Sequence, residues 1–200
     1  MDTDAPPNTS PTPLDICNMA LCKLGESPLS AIDANGSLPS RLCYMHYHPT
    51  RREVLCASRW AFATRSTGLT AAESSSDAQH ALAHTLPMDC LRVLEVNQPR
   101  WTLQGRTIYC PVSVIRLLYI ADVEDTALFE PLFIEALAVR LACKLCIPLL
   151  NSSTARQALQ EEYRRVILPQ ASYVSVAQAH SNDSHPLSQL WRRTGQSSLL

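Results

Sequence analysis

Residues 129–150, which read FEPLFIEALAVRLACKLCIPLL, form the most apolar stretch of this 200-residue chain. Pro131 suits the first turn of a helix, and Pro148 lacks the N–H that a continuing helix would use. The sequence therefore predicts a helix over residues 130–147. Its broad apolar face is typical of the central helix of a bundle, and it consists of Leu132, Phe133, Ala136, Leu137, Leu141 and Leu145.

Charged side chains interrupt this stretch at Glu130, Glu135, Arg140 and Lys144. A membrane-spanning helix needs about 20 consecutive, predominantly apolar residues. Because of the interruptions, we expect the predicted helix to lie in a protein core and expect no association with a membrane.

Three further helices are predicted around this central helix. The first covers residues 13–24 and is expected to end at Gly25, which suits the position after a helix. The second covers residues 39–57 and contains Pro49, which predicts a kink or two abutting helices. Its inner face is expected to consist of Leu38, Leu42, Met45, Val54 and Leu55.

The last helix is predicted to begin at SSTARQ, because Thr154 and Gln157 have capping-box spacing. Glu161 and Arg165 are four residues apart and are expected to pair on the solvent side. Pro169 is expected to bend this helix. The buried stripe is predicted to consist of Leu159, Tyr163, Val166 and Ile167.

Residues 64–123 lose the helical periodicity, and short Val-, Ile-, Tyr- and Leu-rich segments alternate with turn signals. A tight hairpin is predicted over residues 101–109, with Gly105 in a positive-φ position. The segment is therefore interpreted as a small antiparallel sheet. Its other predicted strands are residues 80–87 (HALAHTLP), 91–96 and 113–121.

The predicted fold class is mainly α with a β-rich insertion (α+β), an antiparallel helical bundle plus a small antiparallel sheet. The bundle is expected to comprise residues 13–63 and 125–180, and the insertion residues 64–124. Residues 1–12 are predicted to be a disordered arm, and residues 181–200, rich in Ser, His and Gln, a flexible tail.

The composition limits the possible functions of the chain. Charged residues make up 18% of it, below the ~25% typical of soluble domains, and 17 basic side chains balance 18 acidic ones to a net charge of −1. This balance excludes a wholesale polyanion binder of the histone type. A surface with so little charge is expected to be wet by neutral polar groups or covered by a partner.

The eight cysteines have irregular spacing, and a single C-x-x-C occurs, at Cys143 and Cys146. A tetrahedral zinc site would need two further ligands at matching spacing. The N-terminal sequence MDTDAPPNTSPTP has no basic or apolar region typical of a secretion signal. We therefore expect free thiols that act as small buried hydrophobes.

The sequence predicts no catalytic residue, no cofactor and no metal, since it contains no phosphate-binding loop, nucleophile elbow or zinc-protease motif. His46 and His48 are two apart on a helix and so point to different sides. His80 and His84 would suit a metal only on a helix, whereas their segment is predicted to be a strand. The remaining weak candidates are Asp77 and Asp89 beside that pair, the acidic groups Glu161–Glu162 and Asp122–Glu124–Asp125, and the pairs Arg51–Arg52, Arg164–Arg165 and Arg192–Arg193.

Five segments stand in a fixed order within residues 14–180. They are ICNMALCKLG (16–25), residues 47–52 with WAFA (60–63), LPMDCLRV (86–93), FEPLFIEALAVRLACKLCIPL (129–149) and residues 163–171. In this order the chain resembles the tail tubular protein A family of short-tailed phages, which are head-to-tail connector or adaptor proteins. It departs from the family in its thiols, among them Cys43, Cys56, Cys143 and Cys146, and in its Ser- and His-rich C-terminus.

The resemblance implies a structural virion protein, assembled in the host cytoplasm and located in the neck or tail. A ring of twelve copies would lie beneath the portal protein, extend the DNA channel and dock the tail nozzle or tail fibre protein. Genomic DNA would pass through the lumen without sequence-specific binding, and the family has no catalytic residues to carry over. From the composition of the C-terminal tail, we expect Trp191, Arg192 and Arg193 to contact the portal.

Two other functions are compatible with the sequence. A virion-associated peptidoglycan hydrolase would use a carboxylate such as Glu161 or Glu53 and would need an acid with a raised pKa in a cleft. A monomeric assembly chaperone or binding module would not form a ring.

Overall fold

The computed structural model of the protein describes residues 10–71 and 82–171. Four α-helices and six β-strands occur in these residues, so the chain has a mixed α+β fold. The helices are α1 (Pro13–Cys22), α2 (Leu38–Ala57), α3 (Pro131–Leu150) and α4 (Ser153–Glu162). The strands are β1 (Thr64–Thr70), β2 (Leu82–Thr85), β3 (Cys90–Val96), β4 (Thr102–Gln104), β5 (Thr107–Cys110) and β6 (Val114–Ala121).

The strands form two antiparallel sheets of three strands each, in the orders β1-β6-β3 and β2-β5-β4. The prediction of one small sheet is therefore wrong, although the antiparallel pairing is confirmed. The two sheets separate at a turn in which the Cys90 N–H donates to the Pro87 carbonyl at 2.9 Å. This turn redirects the chain from β2 in one sheet to β3 in the other.

The predicted strands and hairpin are confirmed. HALAHTLP contains β2, residues 91–96 belong to β3, and residues 113–121 contain β6. The hairpin joins β4 to β5, and Gly105 in its turn has φ +58°, which costs glycine no steric strain.

Helix α3 is the centre of the described fold. It contacts α1, α2 and α4, and its buried residues lie on nearly all sides of the helix. This burial pattern explains why its sequence is apolar well beyond a single stripe. The buried side chains are Phe133, Ala136, Leu137, Ala138, Val139, Leu141, Ala142, Cys143, Leu145 and Cys146.

An aromatic cluster fixes the start of α3. The Phe133 ring lies 5.1 Å from Trp60, 5.0 Å from Phe62 and 4.7 Å from Phe129, measured between ring centroids. These edge-on contacts have the geometry that aromatic pairs prefer. The Trp60 indole N–H also donates to the Val54 carbonyl at 2.8 Å, so the residues that follow α2 are locked onto α3.

Two prolines expected to interrupt helices do not end them. Helix α2 continues through Pro49 as one helix, and α3 continues past Pro148 to Leu150 before Asn151 adopts a left-handed conformation with φ 48°. Both prolines are exposed. A proline removes one backbone hydrogen bond, and at an exposed position water can satisfy the freed carbonyl.

The predicted inner face of α2 is wrong in its first half. Leu38 and Met45 are 47% and 61% exposed, whereas Cys43 and Tyr47 are buried there instead. Helix α2 has two apolar stripes on opposite sides. In the first half of the helix, the face predicted to be buried is the outer stripe, which contains Leu38 and Met45. The buried residues of α2 are Ser40, Cys43, Tyr47, Thr50, Arg51, Val54 and Leu55.

Local capping accounts for the ends of α1 and the start of α4. Thr12 and Asp15 form a capping box at the start of α1, and Gly25 has the positive φ expected after its end. At α4 the prediction of a Thr154–Gln157 box is wrong, because the Ser152 side chain accepts the Ala155 N–H at 3.2 Å. Capping needs extended backbone before the helix, and Ser152 has it, whereas Thr154 already lies within α4.

The end of α4 passes into a π-helical turn over Tyr163–Ile167, in which the Leu168 N–H donates to the Tyr163 carbonyl. Pro169 follows immediately and has no N–H to donate, which favours a local change of hydrogen-bond spacing. The helix resumes over residues 168–171. Of the predicted stripe, Leu159, Tyr163 and Ile167 are buried.

Part of the sequence interpretation lies outside the described residues. It includes most of the N-terminal arm, His80, Asp77 and the tail of residues 181–200 with Trp191. The division into a helical domain and an insertion remains a prediction. Within the described part of the chain, no helix combines the length and the apolar composition that crossing a bilayer requires.

Replacement of Phe133 by Ala should lower the free energy of unfolding by about 3–5 kcal/mol, because it leaves a cavity at the centre of the aromatic cluster. Urea denaturation followed by circular dichroism measures this change. The control is Ile147→Ala on the same helix, where 36% of the side chain is exposed and the loss should stay below about 1 kcal/mol. Equal losses for the two variants would contradict a packed cluster around Phe133.

Candidate functional site

A buried arginine joins α2 to the segment that follows β6. Only 1% of Arg51 is exposed. Its guanidinium donates to the Val123 carbonyl at 2.6 Å, to Asp122 Oδ1 at 2.8 Å and to Glu124 Oε1 at 2.9 Å. A charge taken out of water needs such paired and hydrogen-bonded partners. Arg51 is therefore a structural connection between α2 and the chain that leads into α3.

Arg52 binds the same carboxylate from the solvent side. Its Nε donates to Asp122 Oδ2 at 2.7 Å, so Asp122 accepts hydrogen bonds from two arginines, one on each oxygen. The sequence offered Arg51 and Arg52 as a weak candidate for phosphate contact. In the structure, both arginines form ion pairs with Asp122 of the same chain. The acidic group Asp122–Glu124–Asp125 is brought close to α2, but two of its carboxylates are already paired with cations.

A second ion-pair cluster joins α2 to α3. Glu53 accepts hydrogen bonds from Arg140, with Nε to Oε1 at 2.7 Å and a further contact from Nη2, and from Lys144 Nζ to Oε2 at 2.6 Å. Partial burial of Glu53 opposes its ionisation, but the hydrogen bonds from Lys144 and Arg140 outweigh this and lower its pKa. Glu53 is therefore held as a carboxylate.

Further contacts join α3 to the end of α4 and to the π-helical turn that follows it. The Arg140 guanidinium lies 5.6 Å from the centroid of the Tyr163 ring, which is a cation–π distance. Burial raises the pKa of Tyr163 to about 12. Lys23, in addition, contacts Glu135 at 2.6 Å and Glu162 at 3.6 Å, so one lysine connects the end of α1 to both α3 and α4.

The two candidate acids of a hydrolase lie in different surroundings. Glu161 pairs with Arg165 on the exposed side of the last helix, as predicted from their spacing. Glu53 lies between α2 and α3. A general acid needs a raised pKa, whereas the pKa of Glu53 is lowered, so this carboxylate is a poor proton donor at neutral pH.

The histidines do not form a common site in the described residues. His46 and His48 lie on α2 as predicted, and burial together with the nearby Lys144 lowers the pKa of His46. His84 is fully buried in β2, where its Nδ1 lies 3.4 Å from the Ile108 carbonyl and 3.8 Å from Cys110 Sγ. Among residues 10–71 and 82–171, no three His, Cys, Asp or Glu side chains group as metal ligands.

Asp89 has a structural place in the sheet. It pairs with Arg65 on β1 at 2.6 Å and accepts the Tyr119 hydroxyl of β6 at 3.2 Å. It therefore fastens the turn before β3 to β6 and to β1 on the far side of β6, and in the described residues it does not group with His84 as a metal ligand.

All eight cysteines are free, and most are buried. Cys143 and Cys146 lie within α3, as the position of their C-x-x-C in an apolar run predicted. Burial raises the pKa of the Cys143 thiol to about 11, so the thiolate that would bind a metal is disfavoured there. These thiols act as small hydrophobes of the core.

The feature that sequence reasoning missed is an open groove of about 430 Å³ on the outer side of α2. Large apolar side chains are exposed along it, and Tyr44 is 59% exposed. The sequence indication of this groove is the apolar stripe of Leu38, Leu42 and Met45, which is predicted from the sequence to face the core. The groove is lined by Ala34, Leu38, Arg41, Leu42, Tyr44 and Met45.

Replacement of Arg51 by Ala should destabilise the protein by about 3–5 kcal/mol, because it leaves a cavity at a fully buried side chain, removes the buried partner of Asp122 and leaves the Val123 carbonyl without its donor. The matched control is Arg52→Ala, which removes the exposed partner of the same carboxylate and should cost about 1 kcal/mol or less. Chemical denaturation at neutral pH compares the two. A cost for Arg51→Ala as small as that for Arg52→Ala would contradict the structural role of Arg51.

Replacement of Glu53 by Gln should lower stability at neutral pH by about 1 kcal/mol, since 39% of the Glu53 side chain is exposed and solvent screens its ion pairs. The pKa of Glu53 is lowered in the folded state from its ordinary value of 4.5. Its stabilisation is therefore fully present above pH 4.5 and is lost as the pH falls through the folded pKa. Denaturation curves from pH 7 to pH 3 should show the gap between wild type and Glu53→Gln closing.

The control for this pH dependence removes both cations with Arg140→Met and Lys144→Met. In that background, Glu53→Gln should no longer produce a gap that closes in acid. A gap that persists without the cations would show that the pH dependence has another origin.

No protein-family model matches the chain, and no curated protein matches it either. The comparisons therefore add nothing on function to what the chain's own sequence and surface indicate. The described residues present ion pairs that join helices and an exposed apolar groove on α2.

Proposed function

We propose that the chain is a structural virion protein, a head-to-tail adaptor that forms a ring below the portal, extends the DNA channel and docks the tail nozzle or fibres. The observation that carries the proposal is the exposed apolar stripe of α2. Contiguous exposed apolar side chains such as Tyr44 and Met45 often mark a surface that binds another protein. A subunit that is covered by neighbours has a reason to present such side chains.

The electrostatics of the chain support a non-catalytic role. Asp122, Glu124, Glu53, Glu135 and Glu162 are all paired with Arg or Lys side chains that belong to other structural elements. Charges used in this way hold helices and strands together and are not poised for proton transfer. The lowered pKa of Glu53 also argues against its use as the acid of a peptidoglycan hydrolase.

The adaptor assignment itself comes from the order of the sequence segments that resemble the tail tubular protein A family. The mixed α+β fold is compatible with the architecture that the resemblance implies, in which α1 to α4 form an antiparallel bundle and the two sheets form the insertion. The near-zero net charge suits a channel wall that DNA must leave freely. In this proposal twelve copies surround the channel in the neck of the virion.

Electron microscopy of purified portal mixed with this protein tests the function. The adaptor proposal expects a ring of extra density on one end of the portal. A protein that stays separate from the portal at micromolar concentrations would contradict it. Clearing of a peptidoglycan zymogram would favour the hydrolase instead.

Deletion of residues 181–200 should abolish or strongly weaken binding to the portal, because we assign the portal contact to Trp191, Arg192 and Arg193. Aromatic and arginine side chains are the residues most often dominant at interfaces. Co-sedimentation with portal measures the effect. The control is deletion of residues 1–9, a terminal segment with no assigned portal contact, which should leave portal binding unchanged. Unchanged portal binding by the tail deletion would overturn this contact.

A further inference from the structure

The α2 groove combines an apolar floor with positive charge at its edge. Leu38, Leu42 and Met45 follow one another along the outer side of the helix, and Arg41 lines the same groove. His48 and Arg52 continue the outer side toward the C-terminal end of α2, and both are exposed. The outer side of α2 is therefore apolar at its centre, and Arg41 supplies the positive charge of the groove, because Arg52 is paired with Asp122.

A second exposed apolar side chain has the opposite surroundings. Leu128 is 51% exposed and lies at the end of a 3₁₀ turn, Thr126–Leu128. Glu124 and Asp125 precede the turn and are exposed, and Glu130 follows it. We refer to residues 124–130 as the Leu128 turn. It presents one apolar side chain beside Asp125 and Glu130, whereas Glu124 is paired with Arg51.

The Leu128 turn is held in a defined shape. The Asp125 side chain accepts the Ala127 N–H at 3.0 Å, and the Leu128 N–H donates to the Asp125 carbonyl at 3.2 Å. Phe129, directly after it, is anchored in the aromatic cluster. Glu124 also binds Arg51 on the buried side of α2, which anchors the start of the turn to the same chain.

These two surfaces complement each other in polarity and charge. Two copies of the α2 groove facing one another would bring Arg41 toward Arg41 of the second copy, and like charges across an interface are unfavourable. The acidic Leu128 turn has the charge that this groove lacks. A contact between two different patches is heterologous, and such contacts close into rings when the rotation between copies permits.

We propose that the α2 groove of one copy binds the Leu128 turn of a second copy of this chain, with Leu128 between Leu38 and Met45 and with Arg41 paired to Asp125. This contact rests on the proposed function, since it specifies how neighbouring adaptor subunits meet. Each copy offers one groove and one turn, so a copy in the ring makes the contact twice.

Charge reversal tests the pairing of Arg41 with Asp125. Sedimentation velocity at several concentrations up to about 100 μM measures self-association of the wild type. Arg41→Glu should weaken association at least about tenfold, because it places two like charges opposite each other across the contact. Asp125→Asn should weaken it less, since it removes one charge and keeps the side-chain oxygen that accepts the Ala127 N–H. The double variant Arg41→Glu/Asp125→Asn should recover part of the association, because it removes the repulsion between the two carboxylates and keeps the turn capped.

A mixing experiment tests whether the contact is heterologous. Met45→Glu disables the groove and keeps the turn, whereas Leu128→Glu disables the turn and keeps the groove. Each variant alone should be monomeric, and an equal mixture should form a dimer of twice the 22.1 kDa subunit mass and nothing larger. Met88→Glu is the control, because Met88 is 91% exposed between β2 and β3 and belongs to neither surface.

Several results would overturn the contact. They are a monomeric wild type at 100 μM, variants that associate as the wild type does, a double variant that does not recover, and a mixture that stays monomeric. Circular dichroism on each variant excludes unfolding as the cause, and all substituted side chains are exposed. Portal binding by the same variants distinguishes failure of this contact from failure of the adaptor function. If Met45→Glu and Leu128→Glu still form rings on the portal, the adaptor function stands and the contact is wrong.

Discussion

The described structure depends on the burial of the Arg51 guanidinium. A cation with 1% exposure is stable only where acceptors surround it, and those acceptors come from residues 122–124, between the last strand and α3. This requirement fixes where the sheet of β1, β6 and β3 meets α2. It also determines the direction in which the chain enters α3.

The same requirement for paired charges explains the role of the acidic residues near these cations. Asp122 and Glu124 are present to neutralise a buried arginine, as Glu53 is present to neutralise Arg140 and Lys144. Arginine suits this use because its planar guanidinium binds several acceptors at once. Several charges of this sparsely charged chain therefore join one structural element to another.

The central helix and the hairpin could be predicted because their causes are local. Ten of the residues in α3 are buried, so its sequence is apolar on almost every side, and Gly105 marks the turn of the hairpin by its backbone freedom. The end of α3 and the course of α2 could not be predicted in the same way. Whether a proline ends a helix depends on whether solvent reaches the freed carbonyl, and exposure is a tertiary property.

The sequence by itself determined the order of helices and strands, the apolar character of α3 and the absence of familiar catalytic motifs. Only the tertiary structure decided which apolar stripe of α2 is buried, because both stripes have helical spacing and periodicity does not indicate which side faces the core. It also decided the roles of Arg51 and Glu53. Their partners lie about 70 to 90 residues away in sequence, and only folding brings these charges within hydrogen-bond distance.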